Sequence, residues 1–150
     1  MNTQIRNCYY TLVWVLVMVA CKSNDPIASR TDLITAHAWI GVSYTSTTGL
    51  QTTIIPIPAC VQDNEFTFSP DGILTLDIGE LKCSADEPQT ITDEWEFRSD
   101  NTELIIIIDG QEQNLMIVEL TESSLKTASV RVSSGVQTTV ESHFVPVTQD

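Results

Sequence analysis

Alternating apolar and polar residues predict a β-hairpin in the middle of the chain. Phe66 and Phe68 have polar neighbours on both sides, and apolar residues recur in the same way at positions 74, 76 and 78, which is the period of half-buried antiparallel strands. Between them lies the turn sequence Ser-Pro-Asp-Gly at 69–72, in which proline presets φ and glycine accepts a positive φ. We therefore predict two strands joined by a tight turn.

Similar patterns continue along the rest of the chain. Short alternating segments are separated by Gly, Asn, Asp and Ser, as expected of strands and turns. Eight such strands favour an all-β fold, an eight-stranded antiparallel up-and-down barrel, but a β-sandwich stays open because periodicity does not distinguish closure from stacking. The predicted strands are 39–46, 64–69, 73–78, 91–99, 103–109, 111–120, 124–132 and 136–147.

One short helix is predicted before the first strand. Thr31 and Asp32 precede Leu33 and Ile34 in the manner of a helix cap, and the segment to residue 38 has room for one to two turns. The helix also has a candidate packing partner, since the strand segment 104–108 is apolar at every position and needs cover on its outer face. A neighbouring subunit or a partner protein is the alternative cover.

The beginning of the chain has the pattern of an export signal. Arg6 supplies positive charge, segment 9–20 is largely apolar, and Cys21 follows Met-Val-Ala. The apolar run is shorter than the roughly 20 residues of a membrane span. It resembles a bacterial lipoprotein signal with its lipobox, in which the cysteine is lipidated after cleavage.

That resemblance implies a division of the chain and a location. Residues 1–20 are predicted to be a signal peptide, residues 21–30 a tether lipidated at Cys21, and residues 31–150 the barrel domain. The predicted location is the cell envelope, as an outer-membrane lipoprotein whose domain faces the periplasm or the cell surface. The membrane is then a partner through the lipid anchor.

Cysteine use predicts one disulfide. If Cys8 is removed with the signal and Cys21 is lipidated, Cys60 and Cys83 are the two cysteines that remain. Two thiols in an oxidising envelope are expected to pair, and closing that loop would stabilise the fold by about 3 kcal/mol. No metal site or cofactor is expected, because neither cysteine belongs to a C-x-x-C pair and the histidines are far from both.

The chain is strongly acidic, with 20 Asp and Glu against seven Lys and Arg and a formal charge of −13 at pH 7. Such a charge argues against nucleic acid as a partner and against a domain lying flat on anionic lipid. It suits a module held off a membrane by a tether. The acidic residues of segment 77–96 lack the spacing of a Ca²⁺ loop, so a solvated loop is favoured there.

Several short motifs occur in one order along the domain. Together they resemble the lipocalin-like domain lipoproteins of Gram-negative bacteria over about residues 31–146. The resemblance implies a calycin-like barrel, and most members of that family have no assigned activity. The motifs are Asp-Leu-Ile at 32–34 before Trp39, Ala-Cys-x-x-Asp-Asn-x-Phe-x-Phe at 59–68, Asp-Gly at 71–72, Lys-Cys at 82–83, Trp-x-Phe at 95–97 and Ile-x-Glu-Leu-Thr at 117–121.

The sequence contains no pattern typical of an enzyme. It lacks the G-x-S-x-G turn of serine hydrolases, the H-E-x-x-H helix of zinc proteases and a glycine-rich phosphate loop. His143 shares a predicted strand face with Glu141 and Gln137, so we interpret it as a solvated surface residue rather than a general base. The expected function is therefore binding.

Two kinds of binding protein fit this sequence. The first is a lipid-anchored, lipocalin-like envelope protein that binds a small hydrophobic ligand in its barrel. The alternative is a protein-interaction module, such as an inhibitor of a lysozyme or protease or an accessory subunit of an outer-membrane complex. An eight-stranded barrel is just wide enough to be filled or to hold one small molecule, so a roomy apolar cavity would favour the ligand and a filled core the protein partner.

The candidate ligand site combines a loop with inward-facing strand residues. Two prolines in segment 53–59 disfavour a central strand there, so its isoleucines are expected in a loop that plugs or covers one barrel end. Strand parity also places Val130 on the inner face. The predicted ligand-binding residues are Ile54, Ile55, Ile57, Phe66, Phe68, Trp95, Phe97 and Phe144.

Overall fold

A computed structural model of the chain describes residues 28–108 and 110–148. The predicted signal peptide, Cys21 and most of the tether lie outside these residues. Within them the elements are α1 (Arg30–Thr35), β1 (Ala38–Thr48), β2 (Gln51–Ile55), a 3₁₀ turn (Ala59–Val61), β3 (Glu65–Phe68), β4 (Ile73–Asp77), β5 (Thr90–Arg98), β6 (Glu103–Ile108), β7 (Gln111–Leu120), β8 (Leu125–Ser133) and β9 (Val136–Pro146).

The strands form one antiparallel sheet that closes on itself. Each strand from β3 to β9 pairs with the next, and β1 pairs with both β3 and β9. β2 pairs with Tyr44–Thr48 of β1, and β3 pairs with an earlier part of the same strand, Ala38–Ile40. β2 and β3 therefore together take one position in the ring. The predicted eight-stranded closed barrel with one short N-terminal helix is therefore confirmed, and the β-sandwich alternative is wrong.

The strand β2 was not predicted. Segment 53–59 was expected to be an irregular loop, but Gln51–Ile55 pairs with β1 in regular antiparallel register. The prolines at 56 and 58 come after the strand, where they end it, and leave its own backbone N–H groups intact. The loop prediction holds only for residues that follow Ile55.

The helix α1 closes one end of the barrel, which we call the lower end. Its N-cap is Ser29 rather than the predicted Thr31 or Asp32: the Ser29 hydroxyl accepts from the Asp32 backbone N–H, and the Asp32 carboxylate accepts from the Ser29 N–H at 2.9 Å. The side chain of Ile34 is fully buried. The Trp39 indole N–H donates to the Ile34 carbonyl at 2.8 Å, which ties the helix to the first strand.

The core lies in this lower half of the barrel. Side chains from the helix and from six strands meet there, and each is at most 6% exposed. This is the interior that alternation along β3, β4 and β5 predicts. The cluster consists of Ile34, Trp39, Phe68, Leu74, Trp95, Leu104 and Leu125.

Two β-bulges change which side chains face inward. In β1 the register with β9 shifts between Gly41 and Ser43, so Tyr44 takes the inner face where uninterrupted alternation would place Ser43. A Cβ at position 41 would collide with the Tyr44 hydroxyl, which accounts for glycine there. A second bulge lies in β7 between Ile117 and Glu119.

An ion pair covers the outer face of β6. Leu104 faces the core, so Ile105, the next residue on the same strand, points outward. Ile105 is nevertheless fully buried. Arg98 on β5 donates two hydrogen bonds to Glu112 on β7, at 2.9 and 2.8 Å, and so joins the two strands on either side of β6. The predicted helix cover is wrong in this respect, since α1 packs against β3 and β7.

Candidate functional site inside the barrel

Five of the predicted ligand-binding residues meet in the lower half of the barrel. Their rings pack edge to face, with centroids 5.5 Å apart for Phe66 and Phe144, 5.3 Å for Phe68 and Trp95, and 5.3 Å for Trp95 and Phe97. Such contacts stabilise the core beyond area burial alone. These side chains therefore form the packed floor of the barrel interior.

A small cavity remains above this floor. Its volume is about 40 Å³, and apolar side chains form its walls apart from Thr127. A cavity of roughly 150 Å³ holds one benzene molecule, so this cavity has room for only the end of a larger apolar ligand. It is lined by Trp39, Phe66, Phe68, Leu104, Ile106, Leu115, Leu125, Thr127 and Phe144.

The three predicted isoleucines do not join the aromatic cluster. Ile54 points outward from β2 and is 74% exposed, Ile55 lies on the inner face of β2 but is 38% exposed, and Ile57 lies half-buried in the loop after β2. They occupy the wall and rim toward the upper end, opposite α1. Whether any of the eight residues contacts a ligand stays a prediction.

The inner face of the upper half carries polar residues beside the apolar Ile55 and Val140, and none of these polar residues was in the predicted ligand set. Alternation continues along β8 from Leu125 and Thr127, both at the lower cavity, to Ser129 and Arg131 on the same face. On the neighbouring strands Thr48 and Thr138 also face inward, and their hydroxyl oxygens are 2.9 Å apart. We call the part of the interior that these residues line the upper chamber; its inward-facing residues are more polar than those of the floor.

Tyr44 lies between the two halves. Its ring packs edge to face on Phe144 with centroids 6.1 Å apart, and burial raises the pKa of its phenol above the usual 10.0. The side chain therefore stays a neutral hydroxyl at physiological pH, with an apolar ring toward the floor and a polar group available to the chamber.

The barrel wall is open on both sides of this upper chamber. Among the described residues β2 has no strand partner on its second edge, and all five of its residues are exposed. The pairing of β7 with β8 ends at Met116 and Ala128, so the upper part of β8 bonds to β9 alone. The residues of β8 from Val130 to Ser133, like those of β2, are exposed to solvent.

The predicted disulfide lies beside the unpaired edge of β2. Cys60 is bonded to Cys83, with Cα atoms 4.9 Å apart, and the bond joins the loop after β2 to the loop after β4. Asp63 adds a second tie, because its carboxylate accepts the backbone N–H groups of Glu80 at 2.6 Å and Leu81 at 3.0 Å. The disulfide and the Asp63 hydrogen bonds therefore hold the acidic loop 78–89 next to the unpaired edge of β2.

A polar groove crosses the outside of the barrel at β1, β9 and β8, with a volume of about 160 Å³. Contrary to the sequence interpretation, His143 is half-buried there, and its Nε2 lies 3.2 Å from the hydroxyl of buried Ser124. Lys126 donates to Glu119 at 2.8 Å, and this hydrogen bond lowers the pKa of the Glu119 carboxyl.

Within residues 28–108 and 110–148 no three His, Cys, Asp or Glu residues are grouped so as to hold a metal ion.

No helix in the described part of the chain is both long and apolar enough to span a bilayer. No protein-family model matches the sequence, and no curated protein matches it.

Solved structures of bovine odorant-binding protein are similar to this chain. In complex with a selenium-containing odorant, that protein is 14% identical, with a TM-score of 0.45, over 86% of this chain and 79% of its own. In complex with undecanal it is 16% identical, with a TM-score of 0.43, over 75% of this chain and 71% of its own. At these identities the likeness concerns the fold alone.

Proposed function

We propose that this chain is a lipid-anchored binding protein of the cell envelope whose barrel holds a small ligand with an apolar end. The observation that supports this most directly is the arrangement of the interior. An apolar cavity lies at the aromatic floor, and inward-facing polar residues of the upper chamber, among them Thr48, Ser129 and Thr138, follow above it. A ligand could place its apolar end in the cavity while its remaining atoms occupy the chamber.

The anchor and the location rest on the sequence alone. Cys21 and the signal of residues 1–20 supply the lipobox pattern, and two or three acyl chains would hold the protein at a membrane where one would not. Metabolic labelling with radioactive palmitate tests this in a Gram-negative host. The full chain should be labelled and should sediment with outer membranes, while Cys21→Ser should remain unlabelled and leave the membrane fraction.

Tryptophan fluorescence tests ligand binding. Residues 22–150 contain every strand of the barrel, and their two tryptophans, Trp39 and Trp95, both lie in the lower half. Titration with 1-decanol should change the fluorescence in a saturable way. Leu115→Phe, which fills the cavity from its wall, should weaken that binding, whereas Val130→Phe on the outer face should leave it unchanged.

The same variants show what would contradict the proposal. If 1-decanol and longer alcohols leave the fluorescence unchanged, the interior is a closed core and the ligand proposal is wrong. If Leu115→Phe and Val130→Phe bind as well as the natural chain, the ligand lies elsewhere. Thermal unfolding of both variants checks that each still folds.

A protein-interaction role is the second candidate, and the unpaired edge of β2 supports it. An exposed strand edge can accept an extended segment of another protein by backbone hydrogen bonds, and Ile54 projects from this edge with 74% exposure. Inhibition of lysozymes and of a panel of proteases by equimolar chain tests this role. Inhibition that is lost in Ile54→Lys would favour it, and full enzyme activity throughout would count against an inhibitor.

A further inference from the structure

Among the described residues, one basic residue, Arg131, lies on the inner face of the strands. Leu125 and Thr127 line the lower cavity, and β8 has no register shift against β9 between them and Arg131, so Arg131 also faces inward. Its partner in the register is Thr138, whose hydroxyl contacts that of Thr48. Arg131 is exposed, and its place in the register directs its side chain toward the inner face, near the hydroxyl groups of Thr138 and Thr48.

The other basic residues of the described part lie elsewhere. Arg98 and Lys126 point outward and bind carboxylates on the outer wall. Arg30 belongs to α1, and Lys82 belongs to the acidic loop and donates to the Glu87 carbonyl. Within the described residues Arg131 forms no ion pair, in a chain that carries 20 acidic side chains.

One acidic residue also faces inward. Asp93 is two residues before Trp95 on β5, and alternation places both on the inner face. No ion pair joins Asp93 to Arg131 among the described side chains. Strand alternation therefore directs one positive and one negative group toward the interior, and the two form no ion pair with each other.

We propose that the ligand is a single-chain amphiphile with an anionic headgroup, which Arg131 binds while the apolar end enters the cavity beside Thr127. This inference rests on the proposed ligand-binding function. Arg131 comes four positions after Thr127, or about 13 Å along the strand, a distance that a medium-length alkyl chain spans. The planar guanidinium donates two parallel hydrogen bonds to a carboxylate or a phosphate, so both headgroups share the chemistry that the site recognises.

Three probes with the same alkyl chain separate the headgroup from the chain. Decanoate carries a carboxylate, decyl phosphate carries a phosphate, and 1-decanol is neutral. Each is titrated into residues 22–150 and followed by tryptophan fluorescence at low and high salt. An anionic probe should bind more tightly than 1-decanol, and its affinity should fall with salt while that of 1-decanol does not.

Matched variants assign the effect to Arg131. Arg131→Gln should weaken the anionic probes about three- to tenfold, the range for a partly solvated charge-assisted pair, and should leave 1-decanol unchanged. Lys126→Gln makes the same charge change on the same strand but on the outer face, so it should leave all three affinities unchanged. Asp93→Asn removes the inward carboxylate and should strengthen the anionic probes.

The outcomes distinguish the two proposals. If none of the probes binds, the ligand-binding function itself is wrong. If all three bind equally, with no salt dependence and no effect of Arg131→Gln, ligand binding stands and the anionic headgroup is wrong. A preference for decanoate over decyl phosphate, lost in Arg131→Gln, identifies a carboxylate headgroup, and the reverse preference identifies a phosphate. Should Arg131→Gln fail to fold, the salt dependence of the natural chain decides between the same outcomes.

Discussion

Removal of the disulfide between Cys60 and Cys83 should destabilise the barrel without changing its native structure. The bond closes a loop with a sequence separation of 23 residues. In the chain-entropy treatment, releasing a loop of this size from the unfolded chain lowers the free energy of unfolding by about 3 kcal/mol. That is a large part of the roughly 5–15 kcal/mol by which domains are stable.

The native state should persist because a second tie joins the same two loops. The Asp63 carboxylate accepts the backbone N–H groups of Glu80 and Leu81 whether or not the cysteines are bonded. Its two charge-assisted hydrogen bonds would each contribute about 1.5–3 kcal/mol if fully shielded, and less here because both loop residues are exposed. The loop should therefore keep its place when the disulfide is lost.

Urea unfolding of residues 22–150 measures the effect, with the buried tryptophans as reporters. Cys60→Ala combined with Cys83→Ala should lower the free energy of unfolding by about 3 kcal/mol and steepen its dependence on urea, because an unfolded chain without the cross-link exposes more surface. The fluorescence of the native state should be unchanged. No other cysteine is present in this segment, so thiol exchange does not complicate the comparison.

The role of Asp63 can be separated by a double-mutant cycle. Asp63→Asn should cost more in the disulfide-free background than in the natural chain, because there it removes the last tie between the loops, and the difference should exceed about 0.5 kcal/mol. A loss below about 1 kcal/mol on removing the cysteines, with an unchanged native spectrum, would refute the chain-entropy argument for this loop. Strictly additive effects would show that the two ties act independently.

Three further predictions concern the helix and the carboxylates. Ile34→Ala should lower the unfolding free energy by about 2–5 kcal/mol in urea, since it opens a cavity beneath the barrel core, and a loss below about 1 kcal/mol would mean that α1 does not close the lower end. Ser29→Ala should cost about 1 kcal/mol, whereas Ser29→Asp should retain most of the stability. Hydrogen bonds from Ser29, and from the Gly79 backbone N–H, lower the pKa of Asp32 and Asp77 below 3.8, so the folded state binds fewer protons than the unfolded one. The urea midpoint should thus be level near neutral pH and fall as the pH drops through 3.8, and a midpoint that rises there would contradict the sign.

Sequence patterns identified the lower half of the barrel well. Phe66, Phe68, Trp95 and Phe97 alternate with polar residues on strands without bulges, so their inner face was correctly predicted. The floor of the site follows from those residues alone. Their contact with a ligand does not follow, because the same rings pack on one another at 5.3 Å.

For β8, the sequence analysis predicted the wrong set of alternate residues to face the core. Val130 was expected inside, but it is 49% exposed on the outer face. Apolar residues occur at both odd and even positions of this strand. Only the pairing of Leu125 with Phe144 decides which of the two sets faces the core. The inward position of Arg131, and with it the candidate headgroup site, could not be found without that long-range pairing.

The bulge at Gly41 limited the prediction in a similar way. An inserted residue exchanges the inner and outer faces for the rest of β1, so Tyr44 enters the interior although uninterrupted alternation from Trp39 would leave it outside. Bulges depend on the partner strand and leave no reliable mark in a single sequence. A glycine between apolar strand residues is the one local signal, and it occurs here.

The division of the barrel into two halves separates stability from binding. The floor contains the fully buried side chains, the helix and the continuous ring of strand pairing, so substitutions there act mainly on folding. The chamber has exposed side chains and strand edges without partners, and substitutions there should leave folding nearly intact. Under the proposed function, a substitution on the chamber wall, such as one of Arg131, would therefore change headgroup preference while the floor continues to stabilise the fold. The effect of a substitution on affinity can for that reason be attributed to the ligand when the unfolding free energy of the variant is unchanged.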